Sequence, residues 1–195
     1  MKLLLQEIEQ CKLCLPHLTN GVNPVLSAHP KSKIAIIGQA PGIIVHNTSI
    51  PWNDKSGERL RSWLHIDKDT FYNQELIAII PMGFCYPGKG KTGDLPPRKE
   101  CAPKWHPPLF DALKELDLII LIGSYAQNYY LENAKKTLTE TVKNYHEYLP
   151  TFLVLPHPSP RNNIWLKKNE WFEKETLPFL QNHVQKILKG INVDK

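Results

Sequence analysis

The chain has 195 residues, enough for one domain with a buried core, and its 42% hydrophobic and 22% charged content is that of an ordinary globular protein. No apolar run reaches membrane-spanning length, and Gln6, Glu7 and Glu9 interrupt the apolar start, which argues against a signal peptide. The formal charge of +5 permits a polyanionic partner without requiring one. A reducing cytoplasm is therefore expected, with nucleoid association in a bacterium, and there four cysteines suit a metal better than two disulfides.

In chain order, Cys11 and Cys14 form a C-x2-C pair near the start. An apolar run follows over Ile34–Gly38 and ends in Gly-Gln-Ala-Pro-Gly, a turn built for close backbone approach. A helical pattern over Gly57–Ile66 precedes a second apolar run, Leu76–Pro81. Cys85 and Cys101 come next, with fifteen residues between them. A helix is expected over Pro108–Leu116, a strand over Leu118–Gly123 and a helix over Tyr125–Asn144. The last strand is Phe152–Pro156, and a final helix covers Trp171–Leu188. The four strands lack polar alternation, which is how strands covered on both faces read. Strands alternating with helices predict a three-layer α/β/α sandwich around a four-stranded parallel sheet, as one domain over residues 1–195.

The strand ends carry the unusual loops: GQAPG, PMGFC, GSYAQ and PHPSPRN. Ligands of open parallel sheets bind at that edge. Pro156, Pro158 and Pro160 stiffen the last loop and fix His157 at a strand end, where a structural histidine and a functional one are both open readings. Ser159 and neighbouring N–H groups suit a phosphate, and Arg161 suits a phosphate or a base stack. Lys89, Lys91, Arg98, Lys99 and Lys104 lie among glycines, either as a phosphate-binding loop or as a solvated one. Four thiolates suit zinc and an iron–sulfur cluster equally by softness, and free thiols are the third reading.

GQAPG after the first strand, HPSPRN after the last and the C-x2-C…C-x15-C layout together resemble the uracil-DNA glycosylase superfamily, over Cys11 to about Asn163. The cysteine layout is similar to the iron–sulfur families 4 and 5, which implies a [4Fe-4S] cluster on Cys11, Cys14, Cys85 and Cys101, with zinc as the alternative. HPSPRN is similar to the second motif of family 1 and of the single-strand-selective family. The resemblance implies a monomeric base-excision-repair enzyme that binds DNA, flips out uracil or another deaminated base and hydrolyses its bond to deoxyribose.

Carried over by position, the resemblance implies that Gln39, Ala40 and Gly42 lie against the base and the attacking water. Ala40 stands where family 1 has its catalytic aspartate, and Gly42 where family 1 has a thymine-excluding tyrosine. Trp52 takes the place of the aromatic residue that stacks on the base. Asp54 opens Asp-Lys-Ser-Gly, similar to a family 5 motif whose aspartate is catalytic, although the spacing from the aromatic residue is one shorter. The plainer reading of Asp54 is a helix cap. His157 is implied to donate to the base oxygen, Ser159 and Asn162 to contact DNA, and Arg161 to fill the gap left by the flipped nucleotide. Pro81 replaces the asparagine with which family 4 reads uracil, and Asn53 is the candidate substitute amide. Trp105 and His106 are expected over the cluster, and Tyr125 and Gln127 at the pocket rim. The alternative function is a non-catalytic DNA- or base-binding protein on the same fold. The chain lacks G-x-x-x-x-G-K-[ST] and G-x-G-x-x-G, so a nucleotide-phosphate enzyme has little support.

Overall fold

Four short apolar segments form the centre of the molecule in a computed structural model that describes residues 1–190. They are β1 (Ile34–Ile37), β2 (Ile77–Ile79), β3 (Leu118–Ile122) and β4 (Phe152–Leu155). All pair in parallel, in the order β2-β1-β3-β4. Every residue of β1 and β2 is buried, which accounts for their unbroken apolar sequences. Helices cover both faces, giving the expected α/β/α sandwich.

In chain order the helices are α1 (Lys2–Glu9), α2 (Ile43–Thr48), α3 (Lys55–Leu64), α4 (Lys68–Tyr72), α5 (Cys101–Ala112), α6 (Ser124–Tyr130), α7 (Leu138–Lys143), α8 (Asn163–Lys168) and α9 (Leu177–Leu188). On one face, Leu60, Trp63 and Leu64 of α3 and Leu180, Val184 and Ile187 of α9 pack with Ile34, Ile36 and Phe172. On the other, Ile8 of α1 and Trp105 and Leu109 of α5 pack with Ala35, Ala78 and Phe84. Among the described residues, no helix is long and apolar enough to cross a membrane.

Three helix expectations change. The span expected as one helix over Tyr125–Asn144 is two: α6 stops at Leu131, and Thr137 and Glu140 form a reciprocal capping box that starts α7. The helix expected from Pro108 starts at Cys101 and carries Pro107 and Pro108 inside it, because Ala102, Trp105, His106 and Leu109 bury one continuous face. The helix expected over Trp171–Leu188 opens with a π-helical turn at Phe172–Thr176 before α9.

From β1 the chain crosses outward to β2, then returns past β1 to β3. The order therefore reverses at the β1–β3 boundary, and the carboxyl ends of those strands open a crevice there.

Candidate active site

The four strand-end loops enclose one cavity of about 530 Å³. Gln39, Ala40, Gly42, Trp52, Asp54, His157, Ser159, Arg161 and Asn162 line it, as do Pro81, Thr92, Asp94 and Tyr125. Asn53 is not among the lining residues, so the substitute amide expected there does not face the cavity.

The GQAPG loop owes its first glycine to Trp52. A Cβ on Gly38 would stand 2.8 Å from Cζ2 of the indole. The carbonyls of Gly38 and Gln39 accept from Met82 N–H (2.8 Å) and Gly83 N–H (3.0 Å), extending the β1–β2 pairing into the loop. Gly42 meets only Asp94, whose Oδ2 lies 3.6 Å from a would-be Cβ, so this side of the cavity is open.

Trp52 is held in the left-handed region at φ 56°, a costly conformation for a bulky residue. Its surroundings enforce it. Arg61 Nη1 donates to the Trp52 carbonyl (3.3 Å), and Tyr72 Oη donates to the Pro51 carbonyl (2.9 Å). A Cβ on Gly57 would fall 1.7 Å from the Trp52 carbonyl oxygen, so only glycine fits there. The indole lies 5.6 Å from the His157 ring, inclined by 32°.

Asp54 sits at the cavity wall and caps α3: Oδ1 accepts from Gly57 N–H at 2.8 Å. The cap is thus present, and the carboxylate also faces the cavity.

His157 is fixed from several directions. Its Nδ1 accepts from Ser159 N–H (3.2 Å), which assigns the neutral ring's proton to Nε2. Asn162 Nδ2 donates to the His157 carbonyl (2.7 Å), and Arg59 Nη1 donates to the Ser159 carbonyl (3.2 Å). Asn162, expected on DNA, thus also braces the His157 loop while lining the cavity. Burial lowers the His157 pKa and the Asp54 charge partly opposes it, so the ring is neutral at pH 7. A Cβ on Gly123, at φ 80°, would lie 3.8 Å from the His157 Cβ, which ties the β3 loop to the β4 loop.

Arg161 is exposed at the mouth of the cavity. Its Nη1 donates to the Thr92 carbonyl at 3.1 Å, bridging two rims of the cavity. Ser159 Oγ accepts from Arg161 N–H at 3.3 Å, so that hydroxyl first serves its own turn. Arg98 is not a free phosphate contact either, since it pairs with Glu100 at 2.6 Å.

A second, smaller cavity is lined by Cys11, Cys14, Cys85 and Cys101 together with Phe84, Arg98 and Trp105. The cysteines form no disulfide. Burial pushes the Cys85 thiol up to about 11 and Cys101 to about 12. Phe84 N–H lies 3.4 Å from Cys101 Sγ. Arg98 lies beside Cys14, and its buried Nε has no hydrogen-bond partner. Among the described residues, no group of three or more His, Cys, Asp or Glu side chains is arranged to hold a metal ion.

Two expectations are corrected here. Gln127 is buried in the core rather than on the rim, and its Nε2 donates to the Leu155 carbonyl at 2.9 Å. His106 does not cover the cysteines. Its Nε2 donates to the Pro81 carbonyl (3.0 Å) and its Nδ1 accepts from Tyr130 Oη, so it braces the cavity wall at Pro81 from behind.

Burial pushes His106 down to about 4. In the unfolded chain a histidine titrates near pH 6.5. Below that pH the unfolded chain takes up a proton that the folded protein refuses until about pH 4. Stability is therefore full above about pH 6.5 and falls as pH drops toward 4, by about 3 kcal/mol from this group. Urea unfolding at stepped pH should show that loss in the wild type. A His106→Gln variant should show a shallower fall across the same window.

A family model of the uracil DNA glycosylase superfamily matches residues 26–181. The solution NMR structure of a "putative Uracil DNA glycosylase" from Methanosarcina acetivorans is 16% identical to this chain, over 82% of this chain and 98% of the other, with a TM-score of 0.45. The family match spans β1 to β4 and both motif loops of the cavity, and the chain belongs to the uracil DNA glycosylase superfamily.

Proposed function

We propose that the protein is a DNA glycosylase that hydrolyses the N-glycosidic bond of uracil, or another deaminated base, flipped out of DNA. The observation that carries this reading is the convergence of Trp52, Asp54 and His157 on one cavity at the switch point of the sheet. Exposed Ile43, Ile44, Leu95 and Tyr125 lie at or beside that cavity and suit contact with unstacked bases.

In this mechanism the flipped base stacks on Trp52. As the glycosidic bond lengthens, electrons pass to the base and positive charge develops on the sugar. His157 donates its Nε2 proton as a hydrogen bond to the base oxygen that gathers charge. The Asp54 carboxylate, with one oxygen held by Gly57 N–H, offers the other to the sugar cation and the incoming water. Water adds to the anomeric carbon, its proton is taken up by the departing base or solvent, and an abasic site and free base remain.

The four thiols are proposed to hold a [4Fe-4S] cluster. Four sulfurs lining one cavity, an N–H donor on Cys101 and an unpartnered guanidinium nitrogen beside Cys14 suit an anionic cluster. A single zinc needs four thiolates at about 2.3 Å from one point, whereas a cluster spreads them over four irons. The cluster would clamp the N-terminal segment to α5 and supply no group to the reaction. Protein purified without oxygen should contain about four irons per chain and absorb in the visible, and Cys85→Ser should reduce both. Zinc without iron would overturn this part.

The test of function is base release. Labelled single- and double-stranded oligonucleotides carrying uracil or hypoxanthine are incubated with the protein, and abasic sites are then cleaved with alkali. Strand cleavage that depends on the deaminated base is expected. A second reading, binding without cleavage, is favoured by Ala40, which puts a methyl group in the cavity where a carboxylate would serve. Retained DNA binding with no release on any substrate would establish it.

A further inference from the structure

Residues 88–95 form a small hairpin that folds over the cavity. Gly90 N–H donates to the Gly93 carbonyl (2.6 Å), and Leu95 N–H donates to the Gly88 carbonyl (2.8 Å). Lys89 and Asp94 face each other across its bridge. Arg161 fastens the hairpin from the opposite rim through the Thr92 carbonyl, and a Cβ on Gly93 would stand 2.3 Å from its Nη1. The hairpin carries one carboxylate into the cavity. Asp94 lines it, with Oδ2 3.6 Å from the Cβ position of Gly42 and Oδ1 at 3.5 Å from Tyr86 Oη. Tyr86 is buried, which raises its pKa, and Asp94 raises it further, so the phenol keeps its proton and points a donor at the carboxylate. The mechanism proposed for Asp54 and His157 makes no use of this second acid.

We propose that Asp94 is a specificity-determining residue that accepts a hydrogen bond from the ring N–H of the base, and that the Arg161 latch holds it in reach. This rests on the cavity being the base site of the glycosylase reading. A carboxylate accepts and cannot donate. Uracil and hypoxanthine each carry a ring N–H beside a carbonyl. Cytosine and adenine carry a lone pair at the corresponding ring nitrogen, which a carboxylate repels. Deamination turns that repulsion into a hydrogen bond, and neither Ala40 nor Pro81 supplies a side chain able to do so. His157 then takes the adjacent carbonyl.

The test separates base binding from catalysis. Free uracil, hypoxanthine, cytosine and adenine are titrated into the full-length protein, followed by tryptophan fluorescence, since Trp52 lines the cavity. The wild type should prefer uracil and hypoxanthine to the amino bases. Asp94→Ala should weaken uracil about ten- to a hundredfold, and Asp94→Asn should narrow the preference over cytosine. Arg161→Ala should weaken uracil by less, although no DNA is present. The double variant Asp94→Ala/Arg161→Ala should be no weaker than Asp94→Ala alone, because the latch acts through Asp94.

Equal uracil affinity in wild type and Asp94→Ala overturns the proposal, even if the wild type releases bases from DNA. Asp94-dependent base preference in a protein that releases nothing upholds it while the glycosylase reading falls. Failure of the wild type to bind any of the four bases overturns the Asp94 proposal whatever the release assay gives.

Discussion

Replacing His157 with alanine is expected to slow base release about 10²- to 10³-fold, the loss typical of removing one donor to a developing anion. The expectation follows from how completely the ring is prepared. Ser159 N–H occupies Nδ1, so the neutral ring carries its proton on Nε2. Asn162 and Arg59 hold the backbone on either side of it. Burial keeps the ring uncharged at pH 7 despite Asp54, so it enters the reaction as a fixed neutral donor and needs no rearrangement. The interaction strengthens as the base gains charge, so the loss belongs in the chemical step rather than in binding. Single-turnover release and DNA affinity, measured together, check this. A variant that loses DNA affinity in proportion to rate would show that His157 positions the loop and does not stabilise the leaving base.

The sheet was legible because its strands are buried on both faces. Ile34–Ile37 and Leu118–Ile122 read as uninterrupted apolar runs, and the loops after them meet at one edge of the sheet, as the parallel order requires. The span from Tyr125 to Asn144 reads as one helix because apolar spacing continues through residues 131–137, while the capping box at Thr137 and Glu140 that divides it is a short polar signal. The helix expected from Pro108 begins seven residues earlier, because Ala102, Trp105 and His106 bury the same face as Leu109 and carry α5 through both prolines. In the site, Trp52, Asp54 and His157 were legible from motif order. Asp94 and Arg59 were not, since they reach the cavity loops through contacts between distant segments. Arg59 meets Ser159 across 100 residues, and the hairpin bearing Asp94 is fastened by Arg161 from 69 residues away. The glycine before Gln39 lines the cavity and also makes room for the indole of Trp52, a contact from a separate segment that the motif alone does not reveal.

Asp54→Asn is expected to fold as well as the wild type and to lose base release by about 10²- to 10⁴-fold. The two roles of Asp54 separate here because they need different things. Capping α3 needs an oxygen to accept from Gly57 N–H, and asparagine supplies one as well as aspartate does. Stabilising a sugar cation and orienting water need the negative charge, which asparagine lacks. Asp54→Ala removes both and should also cost about 1 kcal/mol of stability. The charge has a second witness in the folded protein. Asp54 raises the His157 pKa against the effect of burial, so removing the charge lets that pKa fall further, and a proton NMR titration of the ring reads the change directly. Release at the wild-type rate by Asp54→Asn, with the His157 titration displaced as expected, would leave Asp54 as a cap with an electrostatic effect on its neighbour. The sugar cation would then need another carboxylate at this cavity, and Asp94 is the one already facing it.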